Sequence, residues 1–503
     1  MTHPPSGTPR DIIRSGSRRL LPCIATLLVC AVCAQALPFS ESASLALQPE
    51  FLLFGDSTAI DPNRMLPLGD TQYMDPSHAP RTPWLAARWA QQAAWQPGDS
   101  LQLGLWFENR TSSQQDSNPY LALSGSLDWR PQPELLLHTT FSTMVNQQAP
   151  AEFPGNWGDV HAGSREAWLQ WSRSWFQLRA GRMSLNTGPE SGRSLLLSNS
   201  TSLDGWRLEV RPGKKADGLW LSAFHYELDT RAQGTHTYAR WLTGHRVGWT
   251  WANRASLALA EAILYGKEHG GPSWAALNPL QPLHAVQMNG LEANTVFQLS
   301  GWWKLNERQL LSGEILVDDL QLDDASRDDQ EPDEWAVQLD LRNALPADIL
   351  LHTGYTRITQ RSYNSKFGHQ VWLIHERPLA HPLGADADEF RLGLSWKGSA
   401  RVHPSWSMAV RRQGERTPWV PFDQPWLEPD ARLPYSEPFP TGVVQRTVEH
   451  TLAVESLWRS WTLRLAWTLP QVRNLDHVPG QDRSDSFVEL RIFGGIARLP
   501  GSR

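Results

Sequence analysis

The sequence predicts an all-β fold: an 18-stranded antiparallel transmembrane β-barrel of the outer-membrane type, with a small N-terminal periplasmic helical segment. Three observations predict it. The first residues read as an export signal, segments of about ten residues alternate apolar and polar side chains from residue 100 onward, and short connections alternate with long ones.

Residues 1 to 36 read as a secretory signal peptide. Arg10, Arg14, Arg18 and Arg19 stand against one acid, Asp11; an apolar run from Leu20 to Ala34 follows and closes on Ala34-Gln35-Ala36, a small-x-small cleavage site. The apolar run is too short for a transmembrane helix. All three cysteines, Cys23, Cys30 and Cys33, lie inside it, so the exported chain is expected to hold neither disulfides nor thiolate metal sites. Leu27-Leu28-Val29-Cys30 lacks the small residues of a lipidation site. Removing residues 1 to 36 from 503 leaves 467, and no later stretch approaches the roughly 20 apolar residues of a membrane helix. The formal charge of −6 comes with no basic stripe, which excludes a nucleic-acid partner. Tryptophan is in excess, 26 residues in a chain only 40% hydrophobic, and its amphipathic ring suits a membrane interface.

The strand ladder occupies residues 100 to 493. "GSLDW" passes through Pro131-Gln132-Pro133 into "ELLLHTTF", and "EAWLQW" passes through Ser172-Arg173-Ser174 into "WFQLRAGR". Six more pairs follow this grammar, from "GWRLEV" with "GLWLSAFHYEL" to "EHTLAVESLW" with "WTLRLAWTL". Eight hairpins give sixteen strands, one strand at 100 to 109 precedes them and one at 486 to 493 follows, making eighteen with both ends on the short-turn side. The long connections fall at 110 to 118, 144 to 164, 184 to 202, 229 to 242, 266 to 293, 320 to 332, 359 to 387, 414 to 444 and 471 to 485. Short turns on one rim and long polar loops on the other describe a barrel whose long loops face outward from the cell. Keeping "HQVWLIHE" (369 to 376) inside a loop preserves the even count. Trp129, Trp171, Trp175, Trp249, Trp251, Trp302, Trp303, Trp396, Trp406, Trp458 and Trp461 cluster at short-turn ends, as an interfacial girdle would. A soluble sandwich array would not separate short from long connections so regularly. Residues 494 to 503 are left as a tail.

Residues 37 to 99 stand apart from the ladder as an N-terminal periplasmic segment. "TPWLAARWAQQAAW" (82 to 95) has Thr82 as N-cap, Pro83 at N1 and Pro97-Gly98 as a stop, and so reads as a helix placed to plug or brace the barrel. "LFGDSTAID" resembles the first block of GDSL-type esterases, with Ser57 as the nucleophile. The partner Asp-x-x-His is missing, because "ARVHPSW" has Ala400 where the aspartate should stand. No Gly-x-Ser-x-Gly, His-Glu-x-x-His or phosphate loop is present, so no enzyme activity is expected.

Three ordered stretches, "AGRMSLNTGPESGRSLLLSNSTSLDGWRLE", "ALNPLQPLHAVQMNGLEANTVFQLSGWW" and "GEILVDDLQLDD", resemble the capsule assembly Wzi family over roughly residues 165 to 325. The resemblance implies an outer-membrane barrel with a periplasmic helical plug, acting as a non-catalytic surface lectin that attaches or assembles capsular polysaccharide or exopolysaccharide. The topology places these stretches at the outer rim. Recognising a polysaccharide there needs amides and carboxylates for hydroxyl groups, and aromatic faces for sugar rings. The candidate binding residues are Ser198, Asn199, Trp274, Asn278, Asn294, Asp318 and Asp319, and Asn289, Trp419 and Trp426 lie in the same long loops. For any one asparagine the competing role is a turn hydrogen bond.

The run from Asp318 to Glu334 holds nine acids against one base, Arg327. It reads as a solvated loop or as oxygen ligands for Ca²⁺; no other cofactor is expected. The expected partners are the polysaccharide, outer-membrane lipid and the barrel-insertion machinery. The rival function is a porin or polysaccharide export channel, because fold alone does not assign function. Arg179, Glu209, Glu261, Glu314 and Arg464 are expected to face the lumen and serve either reading. The triplet Leu195-Leu196-Leu197, set among polar residues, is expected to fold an outer loop inward.

Overall fold

The computed structural model describes residues 102 to 497, apart from 113–119, 133, 146–155, 158–159, 174, 190–191, 213–216, 252–253, 322–329 and 459–460. The signal peptide, the expected helix at 82 to 95 and Ser57 lie outside the described residues. Among those described, eighteen strands close into one ring. They are β1 (Gln102–Ser112), β2 (Tyr120–Gln132), β3 (Leu135–Val145), β4 (Val160–Arg173), β5 (Phe176–Asn186) and β6 (Ser198–Val210). Next come β7 (Gly218–Glu227), β8 (His236–Trp251), β9 (Ala255–Lys267), β10 (Ala293–Asn306), β11 (Gln309–Asp319) and β12 (Glu334–Leu345). The ring is completed by β13 (Ile349–Ile358), β14 (Ala387–Trp396), β15 (Val402–Gln413), β16 (Gln445–Trp458), β17 (Trp461–Arg473) and β18 (Phe487–Ala497). Each pairs antiparallel with the next, and β1 closes on β18 with Phe107 opposite Gly494. Closure leaves no open sheet edge, the condition for crossing hydrocarbon. The segment 369 to 376 stays out of the ring: Leu373–Ile374 pairs only with Arg377–Pro378. The last strand runs on to Ala497, four residues past the expected end at Phe493, because it stays paired with β1.

The period-2 pattern becomes two faces. Leu121, Leu123, Leu169, Leu257, Leu259, Leu299 and Ile315 are exposed on the outside, while Ser124, Gln170, Ser256, Gln298, Ser300 and Ser312 on the same strands are buried in the lumen. An apolar exterior around a polar interior is the inverse of a soluble protein and fits a lipid-facing wall. Trp129, Trp171, Trp175, Trp249, Trp251, Trp303, Trp396 and Trp458 are exposed near the short turns, forming the girdle. Trp302 does not join it. Neighbouring strand residues point to opposite faces, so with Trp303 59% exposed outside, Trp302 turns inward at 3% and packs on Leu310 and Leu350.

Of the charges expected in the lumen, Arg179, Glu209 and Glu314 are buried inside, and Arg464 shares its face with buried Ala466 and Thr468. Glu261 is a correction. It lies on the face of β9 that carries exposed Leu257 and Leu259, so it points outward. It is covered by loop 268–292, which contains helices α1 (Trp274–Leu277) and α2 (Leu283–Met288). Glu261 accepts hydrogen bonds from the Leu283 N–H at 2.9 Å and the His284 N–H at 2.5 Å, capping α2, and pairs with His245 at 2.9 Å. Ala276 and Leu283 of the loop pack on Trp241, Ile263, Tyr265 and Ala293. This long loop therefore folds down the outer wall rather than over the mouth.

Candidate functional site

Two other loops fold inward and pack in the outer half of the lumen. In the first, 187–197, Leu195 and Leu196 are fully buried and Leu197 nearly so, within a core cluster that also takes in Met183, Phe224, Leu316 and Tyr363. Burial of each leucine is worth about 1.5–3 kcal/mol. The backbone polar groups that travel inward with them are satisfied individually. Glu314 of β11 accepts from the Leu195 N–H at 2.7 Å and the Ser194 hydroxyl at 3.1 Å; Arg246 of β8 donates to the Thr187 carbonyl at 2.6 Å; Arg193 pairs with Glu389 of β14. The loop is thus tied to three strands around the ring.

The second inward loop, 359–386, brings Tyr363, Trp372, Ile374, Leu379 and Leu383 into the same core. The Tyr363 hydroxyl donates to the Leu195 carbonyl at 2.7 Å, joining the two loops. Arg240 of β8 gathers the carbonyls of His369, Val371 and Leu373 and pairs with Asp229, which fixes the turn at 368 to 373. Loop 414–444 lies against it. Arg361 pairs with Glu437 and with Asp423, Arg416 pairs with both acids, and the Arg361 guanidinium stands 5.1 Å over the ring of Trp426. Burial lifts the Glu437 carboxyl, but the hydrogen bonds from Arg361 and Tyr435 and the charges of Arg361 and Arg416 together outweigh it and hold the group below the usual carboxylate range.

Beside this assembly, at the outer ends of β10 and β11, lies a cavity of about 730 Å³. The register explains it. Pairing of β10 with β11 stops at Phe297 opposite Val317, whereas β10 stays paired with β9 up to Ala293 and β11 with β12 up to Asp319. The two strands splay, and the wall opens into a notch. Its lining combines carboxylates (Glu292, Asp318, Asp319, Glu331, Glu334), amides (Gln287, Asn294, Asn364, Gln370, Gln424) and the rings of Phe297, Phe367 and Phe422, with Lys366 and His284. Hydroxyl-binding groups next to flat apolar faces can hold a sugar ring.

The barrel gives the molecule its likeness to known structures. No family model matches the chain, and no curated protein sequence matches it. Among solved structures it is similar to Wzi of Escherichia coli, described as an outer membrane protein involved in group 1 capsule assembly and as a carbohydrate-binding β-barrel. The TM-score is 0.58 over 94% of this chain and 100% of that one, at 10% identity. This chain has the fold of Wzi. The outer membrane protein OprD of Pseudomonas aeruginosa is similar over 80% of this chain and 94% of that chain, with TM-score 0.47 and 11% identity.

Three of the seven sequence-derived residues meet in the cavity. Asn294 donates to the Asn364 carbonyl at 3.2 Å, Asp318 accepts from the Tyr363 N–H at 2.6 Å, and Asp319 accepts from the Gln321 side chain at 3.3 Å. Ser198, Trp274 and Asn278 do not line it. Ser198 is 1% exposed and donates to the Ala380 carbonyl at 2.5 Å, docking the second inward loop. Asn199 follows it at the start of β6. Trp274 is 87% exposed on the outer-wall loop, and Asn278 accepts from the Leu280 N–H at 3.1 Å, an ordinary turn bond. Trp426 is buried, and the exposed Trp419 donates to the Glu376 carbonyl at 2.9 Å. Sequence reasoning missed Phe297, Phe367, Phe422 and Asn364, which come together only through loop packing; Glu331 and Glu334 were visible within the acidic run. Of that run, residues 322 to 329 lie outside the described residues, and no group of three metal-ligating side chains close enough to hold an ion occurs among the described ones.

Proposed function

We propose that this protein is an outer-membrane barrel that binds a surface polysaccharide, capsular or exopolysaccharide, at its outer rim without catalysis. The observation that carries the reading is the notch between β10 and β11, where amides, carboxylates and three phenylalanine rings surround one cavity. Asn294, Asp318 and Asp319 are the proposed polar contacts, and Phe297, Phe367 and Phe422 the stacking faces. The inward loops support binding over the rival reading of a porin or export channel, because they occupy the space an aqueous path would need. The fold shared with a carbohydrate-binding barrel supports it further. Export by residues 1 to 36, a periplasmic segment over 37 to 99, lipid around the wall and assembly by the barrel-insertion machinery complete the proposal.

Retention of surface polysaccharide on cells tests it. Cells that make the protein should hold more polysaccharide than cells that lack it, and the double change Asn294→Ala with Phe367→Ala should lower retention towards that of the deletion while the barrel still inserts. Undiminished retention with the inserted double variant would contradict the reading.

A further inference from the structure

Several carboxylates buried elsewhere in this barrel are matched to cations, while Glu314 and Asp386 are held by neutral hydrogen-bond donors. Glu389 pairs with Arg193 and Arg411, Asp340 with Arg391, Asp388 with Arg412, and Asp229 with Arg240. The cavity between β10 and β11 differs in how many carboxyl groups it gathers. Glu292, Asp318, Asp319, Glu331 and Glu334 converge on it, and among the described residues none of the five forms an ion pair. Two basic side chains line the same space, Lys366 and His284. A second observation points to a ligand. Thr295 lines the cavity, is 5% exposed, and its buried hydroxyl has no hydrogen-bond partner.

We propose that the cavity is built for a positively charged glycan, one whose sugars carry free amines. The proposal rests on the reading of the cavity as a glycan site and names the chemical class. Crowded carboxylates taken from water without counter-charge are costly, and an ammonium group that enters among them removes part of that cost through charge-assisted hydrogen bonds. Burial, with the charge of Asp319 beside it, pushes the Glu331 carboxyl up, and a bound cation would favour its charged form. The aromatic wall also suits a cation: the Lys366 ammonium stands 5.4 Å over the ring of Phe367, the position a sugar ammonium could take at a neighbouring ring. An acidic polysaccharide would bring further carboxylates against these groups.

Calorimetry on the purified full-length protein in detergent tests this with three probes of equal length: a glucosamine tetramer at a pH where its amines are protonated, its N-acetylated counterpart, and a galacturonate tetramer. The glucosamine tetramer should bind at least about tenfold tighter than the N-acetylated one and lose that advantage as salt is raised. Glu331→Gln, on a loop outside the strands, and Asp319→Asn should each narrow the preference. Equal binding of charged and N-acetylated tetramers would overturn the charge assignment while leaving the glycan reading standing. Tighter binding of galacturonate on addition of calcium would overturn it in favour of a bridging cation. Absence of binding by all three would count against both readings.

Discussion

Single residues explain why the stretch from Gly181 to Val210 mixes leucines with polar groups. Gly188 is required because a Cβ there would lie 1.7 Å from the Glu314 carboxylate, and Gly192 because its φ of +71° suits glycine. Gly188→Ala should displace Glu314 and leave the Leu195 N–H without its acceptor, at about 1–3 kcal/mol for a buried group left unsatisfied. Thermal unfolding of the purified barrel checks this. His381 adds a pH dependence. Burial, with the guanidiniums of Arg193, Arg391 and Arg411 nearby, holds its imidazole well below 6.5, and its Nδ1 accepts from the Leu383 N–H at 3.2 Å. The unfolded chain takes up a proton near pH 6.5 and the folded one does not, so this contribution to stability is complete above that pH and falls as the pH drops below it. His381→Gln should flatten the melting-temperature profile between pH 7 and pH 5, values that bracket the ordinary histidine pKa of about 6.5. An unchanged slope would refute the assignment.

At the scale of elements, strands and turns were legible because a closed barrel leaves each strand one wet and one oily face, and a period of two survives in the sequence. The long loops were located, and the leucine triplet gave the inward turn of loop 187–197, but the direction of loop 268–292 was not legible. Glu261 illustrates why. Around it the usual polarity test fails on both faces, since Ala260, Ala262 and Leu264 face an apolar loop core inside while Ile263 and Tyr265 are covered by loop 268–292 outside. The rim cavity was half legible: Asn294, Asp318 and Asp319 stood out as polar residues at strand ends, whereas Phe367 and Phe422 reach it from loops more than forty residues downstream. Two changes test the loop assignments. Leu196→Asp should free loop 187–197, seen as new protease cleavage there, while insertion into membranes is retained. Glu261→Ala removes the acceptor for two α2 N–H groups, and cleavage within 268 to 292 should rise without change at 187 to 197. Equal protection of that loop in the variant would show that the cap does not hold it.

For the whole molecule, the ring of eighteen strands, the tryptophan girdle and the inward loops form one account: the wall meets lipid, the outer lumen is packed with apolar side chains, and the polar chemistry is left at the rim. The sequence pattern carried the wall because lipid and water impose it everywhere. The packed lumen depends on contacts between residues more than a hundred positions apart, such as Ser194 with Glu314 and Leu195 with Tyr363, and no local pattern reports them. The central claim is that this barrel is closed and binds at its mouth. Planar-bilayer conductance of the purified full-length protein addresses it most directly. The account predicts no stable openings for the unaltered protein, with openings appearing once residues 188 to 197 are replaced by a short Gly-Ser linker. Large, stable openings in the unaltered protein would contradict it.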